Sequence, residues 1–419
     1  MLSFLTGHAG TKDMRVLYSF PHKLGGERIC NIAWQQVDGL ARAGAEVLAF
    51  PGVLGRELPA IVRARPTIAR GKFRIPYRVL GTKRACALHD FIVAARLEKL
   101  AGQIDIVHTW PMGALRTLKT AARMGIPTVL ERPNAHTRFA YEVVQAECDR
   151  LGVALPPSHE HAYKLGFLRR EEAEYDLADW LLCPSEFVAR TFVDQGYPAG
   201  KLLRHQYGFD EKLFFPEART TVADRGMTVL FVGGCAPRKG LHYALDAWLQ
   251  SRAHKEGAFL IAGAFVPGYA ERLAAQLAHP SVRVLGHRSD VPDLMRRSDV
   301  LILPSIEEGS ALVTSEARGC GCVLLVSDAA GAICEHGIDA LIHPVGEVRT
   351  LTQHLNMLSE DRNLLMRLRK TSLKSVHEIT WIKAGQKLEH VYQQAIALKG
   401  DRGFDGGGKR AKAPDEIVR

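Results

Sequence analysis

Glu307, Glu308 and Glu316 stand in the stretch PSIEEGSALVTSE (304–316), directly after the apolar run DVLIL. If a helix begins near Ser310, Glu308 and Glu316, eight positions apart, drift only about 80° around it, so both carboxylates can face one side. Amides from Gly309 to Leu312 would open onto the same space, because the first N–H groups of a helix lack intrahelical partners. Carboxylates accept from hydroxyls, and amides donate to phosphate oxygens. A ligand with both groups, such as a nucleotide sugar, would use each. Glu307 reads as the plain member of the set, a solvated charge at the helix start.

Three other loops have residue types suited to the same ligand. In FVGGCAPRKG, Arg238 and Lys239 stand beside a helix start, and two cations with the helix dipole suit a diphosphate. The alternative is an ordinary basic turn. In PHKLGGERIC, Gly25 and Gly26 precede a helix and would let the backbone approach a ligand closely; a plain tight turn explains them equally well. In ERPNAHT, His136 follows the run PTVL. Its place after a strand points to a cleft, although a lone histidine is more often structural.

Strands and helices alternate throughout. MRVLYSF is a strand, followed by a helix from about Glu27 to Ala43 and the strand AEVLAF. DIVHTW, PTVLER, WLLCPS and KLLRHQYG continue the series, which restarts at MTVLFVGG with GAFLIAG, VRVLG, DVLILPS, CVLLVSD and ALIHP. Short apolar runs bounded by Gly, Pro or Asp fit buried parallel strands, and the alternation predicts doubly wound α/β sheets. Ligands of such sheets sit beyond the carboxyl ends of the strands, which is where the four loops fall. The polar segment 216–226 reads as a linker between domains at 1–216 and 226–375. A last helix runs from Thr380 to Lys399, and the glycine-rich polar tail 400–419 reads as disordered.

At 419 residues the chain exceeds the usual single-core size, and 47% apolar residues can fill two cores. No apolar run reaches the ~20 residues needed to span a bilayer, and the N-terminus lacks secretory features. The expected location is the cytoplasm. The eight cysteines show no zinc spacing and read as reduced thiols. The net charge of +10 is concentrated between Leu58 and His89, where Arg63, Arg65, Arg70, Lys72, Arg74, Arg78, Lys83 and Arg84 meet no acid. That stretch reads either as a solvated face or as a patch for something anionic, a membrane surface, a lipid-phosphate acceptor or an acidic glycan; the first would place the protein peripherally at the inner face of the membrane. No nucleic-acid motif accompanies it.

With these motifs in this order, the chain resembles glycosyltransferase family 4, the large retaining group with the GT-B fold. The resemblance runs from about Val16 to Tyr392. It rests first on EGSALVTSE between DVLILPS and ARGCGCVLLVSD, then on FVGGCAPRKG, VRVLGHRSDVPDLMRRSDV and TWIKAGQKLEHVYQQA. It implies two Rossmann-like domains facing a cleft, with the final helix crossing back so that about 376–399 complete the first domain. It implies a nucleotide-sugar donor, UDP- ahead of GDP-, on the second domain, a glycan or lipid-linked acceptor on the first, and no metal or other cofactor. Carried over by position, Glu316 meets the ribose and Glu308 the sugar hydroxyls. Gly309, Ser310, Ala311, Leu312 and Val313 supply amides, and Lys239 meets phosphate. Leu285, Gly286 and His287 flank the base, Gly25 and Gly26 form the glycine loop, and His136 stands near the reaction centre.

Two departures from the family matter. Ser310 and Ala311 replace the Phe-Gly common in relatives, so the donor sugar is not inherited. Gly234 occupies the place of a usual arginine, and Arg238 is the candidate to replace it. The competing readings are a catalytically silent sugar-nucleotide or glycan-binding relative, and another GT-B enzyme such as an epimerase or phosphorylase.

Overall fold

The computed structural model describes residues 14–70, 73–74, 81–217 and 226–404. Its strands, in chain order, are β1 (Arg15–Leu24), β2 (Glu46–Leu54), β3 (Arg63–Ala64), β4 (Ala69–Arg70), β5 (Phe73–Arg74), β6 (Ile106–Thr109), β7 (Thr128–Glu131), β8 (Trp180–Cys183) and β9 (Leu202–Arg204). They continue as β10 (Thr228–Val232), β11 (Ala258–Ala262), β12 (Val282–Gly286), β13 (Val300–Leu303), β14 (Val323–Ser327) and β15 (Ala340–His343). One sheet has the order β3-β2-β1-β6-β7-β8-β9 and the other β12-β11-β10-β13-β14-β15; β4 and β5 pair as a separate hairpin. Every pairing within the two large sheets is parallel.

This is the predicted doubly wound α/β architecture, with two Rossmann-like halves. The twelve strand segments read from the sequence are all present; β3 and the hairpin are additional. Central strands are covered on both faces: VLIL of β13 and VLLVS of β14 are buried at every position. That is why they read as continuous apolar runs instead of alternating ones. Each order changes direction at its first strand, β1 or β10, so the loops after these strands and their neighbours open at the switch point where ligands bind.

The final helix crosses back to the first half. It spans Trp381–Phe404, five residues beyond the end read from the pattern, and Trp381, Ala384, Leu388, Val391, Tyr392 and Ala395 are buried in the core around β1. Its contact with the first helix (Ile29–Arg42) depends on paired glycines: a Cβ on Gly39 would lie 2.8 Å from the Cα of Gly385. Farther along, Tyr392 Oη meets His108 Nδ1 at 2.5 Å inside the first core.

All eight cysteines are free thiols. No helix among the described residues is long and apolar enough to cross a membrane. Of the basic stretch, Arg63, Arg65, Lys83 and Arg84 are exposed, whereas Lys72, Arg78 and the side chains of Arg70 and Arg74 lie outside the described residues. The linker positions 218–225 and the tail positions 405–419 lie outside them as well.

Candidate active site

The apolar run of β13 ends at Leu303, and the following residues turn into the helix Leu312–Gly319. That turn forms one wall of a cleft of about 930 Å³ between the two halves. Arg238, Lys239, Glu308, Gly309, Ser310, Ala311, Leu312, Val313 and Glu316 all line it. Glu308 and Glu316 share this cavity as expected, but the helix begins at Leu312 instead of near Ser310, so Glu308 lies in the turn before it.

The Glu316 carboxyl has no hydrogen-bonding or ionic partner among the described residues, and burial raises its pKa to about 7. An acid held near neutrality with nothing bonded to it is poised to accept from a ligand hydroxyl. Glu308, in contrast, is engaged. It contacts Lys239 Nζ closely, lies 3.1 Å from Arg238 Nη1, and accepts from Ser305 Oγ at 3.3 Å. Burial opposes its ionisation, but Arg238 and Lys239 outweigh burial and hold its pKa below the usual carboxylate range. Burial in turn lowers Lys239, against the pull of Glu308. A diphosphate entering here would meet two cations that carboxylates already hold in place.

Among the described residues, the amides of Gly309, Ser310, Leu312 and Val313 make no hydrogen bond. Ala311 differs from the expectation: its N–H is taken by the Ala330 carbonyl at 3.3 Å. The amide cradle is therefore shorter than the sequence pattern suggested.

Glu307 corrects the reading of a solvated charge. It is fully buried, accepts from the Ala135 N–H at 3.1 Å and from Arg238 Nη1 at 3.3 Å, and meets His161 Nε2 at 3.0 Å. Burial opposes its charge, yet His161 and Arg238 bring its pKa down to about 2.

Three other expected residues lie away from the cleft. Gly25 and Gly26 form a tight turn whose amides are already used, Gly25 N–H donating to Cys30 O and Gly26 N–H to Lys23 O. The residue of that loop which reaches the cleft is Arg28, exposed and held at φ 51°. His136 is buried and caps the helix Thr137–Leu151, its Nδ1 accepting from Arg138 N–H at 3.2 Å. Its ring packs against Tyr175, Phe192 and Tyr197, and burial lowers it to about 3. A neutral helix cap inside an aromatic cluster is not placed to touch a substrate. His159 is the histidine on the cleft wall.

Leu285, Gly286 and His287 lie at the end of β12, joined to the cleft's edge by the Gly263 N–H donating to Gly286 O at 2.8 Å. The wall itself at that end is Ala264, Phe265, Val266 and Pro267. Gly234 lines the cleft in open space, with no atom within 4 Å of where a Cβ would stand. On the first-half side a smaller cavity of about 260 Å³ adjoins, sharing Ile29, Pro133, Asn134 and Glu160 with the cleft. Among the described residues no group of three or more His, Cys, Asp or Glu side chains could hold a metal.

Arg28, Asn134 and Glu307 were not anticipated as site residues. Arg28 had one available signal, a cation between a glycine pair and a helix start. Asn134 and Glu307 had none, because their importance comes from contact between distant loops.

Comparison with known proteins gives the same picture. The family model for glycosyl transferases group 1 matches residues 226–361, and that for Glycosyltransferase Family 4 matches residues 31–211. The chain is 24% identical over 388 residues to a D-inositol 3-phosphate glycosyltransferase of Thermobispora bispora, covering 85% of this chain and 87% of that one. Over 118 residues it is 28% identical to the N,N'-diacetylbacillosaminyl-diphospho-undecaprenol alpha-1,3-N-acetylgalactosaminyltransferase of Campylobacter jejuni, covering 28% and 31%. Anabaena HepE in complex with UDP superposes with a TM-score of 0.61 at 18% identity, covering 91% of this chain and all of that one. The apo form of the lipopolysaccharide outer core galactosyltransferase WaaB gives 0.65 at 14%, covering 92% and 100%. The two family models fall one on each half of the fold, and the chain belongs to the family 4 glycosyltransferases, enzymes of the GT-B type.

Proposed function

We infer that this enzyme transfers a sugar, with retention at the anomeric carbon, from a nucleotide-sugar donor to a glycan or lipid-linked acceptor in cell-surface polysaccharide or glycolipid synthesis. The observation that carries this reading is the single cleft in which an unpartnered Glu316, a cation-held Glu308, open amides and the pair Arg238/Lys239 face one another. Hydroxyl acceptors, cations and open amides in one cavity match the hydroxyls and diphosphate of a nucleotide sugar.

Glu316 takes the ribose hydroxyls. The diphosphate draws on Arg238, Lys239 and the amides of Ser310, Leu312 and Val313, and Glu308 exchanges part of its hold on Lys239 for sugar hydroxyls. The acceptor oxygen attacks the anomeric carbon on the face from which the diphosphate departs. The bond from that carbon to the phosphate oxygen breaks, and the acceptor's proton passes to the leaving phosphate. Cations already in place stabilise the growing charge without reorganising, which makes such a site effective. Arg238 serves in place of the arginine absent at Gly234.

UDP is the favoured nucleotide. HepE, of like fold, has been solved with UDP and with UDP-glucose, and the relatives of known activity act on inositol phosphate or on diphospho-undecaprenol carriers. The exposed cations Arg63, Arg65, Lys83 and Arg84 support attachment to an anionic membrane surface, where a lipid-linked acceptor would lie.

A thermal-shift screen with UDP-, GDP- and ADP-sugars tests the reading, because a ligand that binds only the folded state raises the melting point. UDP-sugars are expected to give the largest rise, and no rise with any of the three refutes the donor assignment.

A further inference from the structure

Glu307 is the one carboxylate of the motif that the donor reading leaves without a task. It faces away from open space and across the boundary between the two halves. Glu307 and Arg238 follow strands of the second sheet, whereas Ala135 and His161 belong to loops of the first half. One buried side chain therefore joins three groups, the Ala135 N–H, His161 Nε2 and Arg238 Nη1, and the Glu307 backbone carbonyl accepts from Arg238 Nη1 as well, at 2.9 Å. Two residues along, Gly309 touches the same first-half loop so closely that a Cβ would lie 1.6 Å from Pro133 O and 3.1 Å from Asn134 Cα. Ser185 Oγ of the first half donates to Gly309 O at 2.6 Å. Glu308 thus lies between two residues that are both fastened to the opposite half.

Asn134 is held within this contact. It lines both the cleft and the adjoining first-half cavity, and its carboxamide makes no hydrogen bond to another described residue. A buried charge is tolerated only when paired and hydrogen-bonded, and Glu307 obtains two of its three partners, the Ala135 N–H and His161, only while the two halves are together.

We propose that Glu307 is a positioning residue that clamps the loop 133–135 onto the donor pocket and so sets Asn134, at the junction of the two cavities, beside the reacting sugar. The clamp acts through Ala135 and His161; Glu307 itself touches no substrate. This inference rests on the nucleotide-sugar reading of the cleft.

The test uses the full chain as wild type, Glu307→Ala, His161→Ala and the double variant. Hydrogen exchange at the Ala135 amide reads the clamp directly, and turnover of UDP-, GDP- and ADP-sugars reads its consequence. Exchange at Ala135 should quicken at least tenfold in Glu307→Ala while central strands such as β13 keep their protection. Turnover should lose at least tenfold in kcat with the donor KM within threefold. His161→Ala should lose at least fivefold in kcat, and the double variant should be no worse than twofold beyond the weaker single, because one contact is broken only once. His161→Ala carries the test if Glu307→Ala does not fold. Unchanged exchange at Ala135, kcat within twofold of wild type, or a rise in KM alone would each overturn the proposal. If the wild type turns over none of the three donor classes, the donor reading fails, while the exchange measurement still decides the clamp.

Discussion

Gly309→Ala is the smallest change that should separate donor binding from catalysis. The added methyl would begin 1.6 Å from Pro133 O and 2.5 Å from Pro133 C, both backbone atoms that cannot rotate aside. To reach a tolerable contact of about 3 Å, the loops must part by about 1.4 Å. Overpacking of this kind costs about 1–3 kcal/mol. The same movement stretches the 3.1 Å bond from Ala135 N–H to Glu307, a hydrogen bond to a charged group worth about 1.5–3 kcal/mol. Each half keeps its own core, so the chain should fold, with a melting point lower by a few degrees. Glu316, Lys239 and the amides all belong to the second half, so nucleotide affinity should stay within about threefold. Transfer depends on both halves, and a displacement near 1 Å is enough to cost about 100-fold in rate. The assay is nucleotide release from the best donor of the thermal-shift screen, alongside nucleotide-induced stabilisation. Ser310→Ala, whose hydroxyl has no partner among the described residues, serves as the control and should stay near wild type in nucleotide binding. Turnover by Gly309→Ala within threefold of wild type, with an unchanged melting point, would show that the two loops are not in this contact.

Three further outcomes follow from the site. Glu316, raised to about 7 by burial, is protonated below that pH in the free enzyme, and only its carboxylate accepts from two ribose hydroxyls. Nucleotide affinity should therefore fall as pH drops through 7, about tenfold weaker at pH 6 than at pH 8 by the free energy of one pH unit, and Glu316→Gln should flatten the profile; a wild-type affinity independent of pH from 6 to 8 contradicts this. Arg238→Ala should weaken donor binding about tenfold to a hundredfold, as expected for a charge-assisted bond to phosphate, and Gly234→Arg in that background should recover part of it, because position 234 faces open cleft; no loss from the first change removes Arg238 from the phosphate site. Replacing Arg63, Arg65, Lys83 and Arg84 together by Ser should abolish salt-sensitive co-sedimentation with anionic vesicles, each cation contributing about 1 kcal/mol near such a surface, and wild-type binding that ignores salt and lipid charge counts against a membrane role.

The sequence by itself determined the architecture and most of the second-half wall of the cleft. Parallel strands buried on both faces read as unbroken apolar runs, so DVLIL and CVLLV announced β13 and β14 without help from the rest of the chain. Glu308 and Glu316 lie in one loop and the helix after it, and nearness in the chain keeps both at the same cavity, although the helix starts at Leu312 and leaves Glu308 outside it. The tertiary structure decided whatever depends on partners far away in the chain. Gly25 and Gly26 look like a ligand loop until their amides are found donating within their own turn. His136 sits at a strand end, as a cleft residue would, but the ring is drawn into a cluster with Tyr175 and Phe192 that no local pattern reveals. Ala311 loses its amide to Ala330, and Glu307, an ordinary surface charge by its neighbours in sequence, is buried because His161 and Arg238 come to it from 146 and 69 positions away. Local periodicity encodes which face of an element is covered; what covers it is set only when the two halves meet.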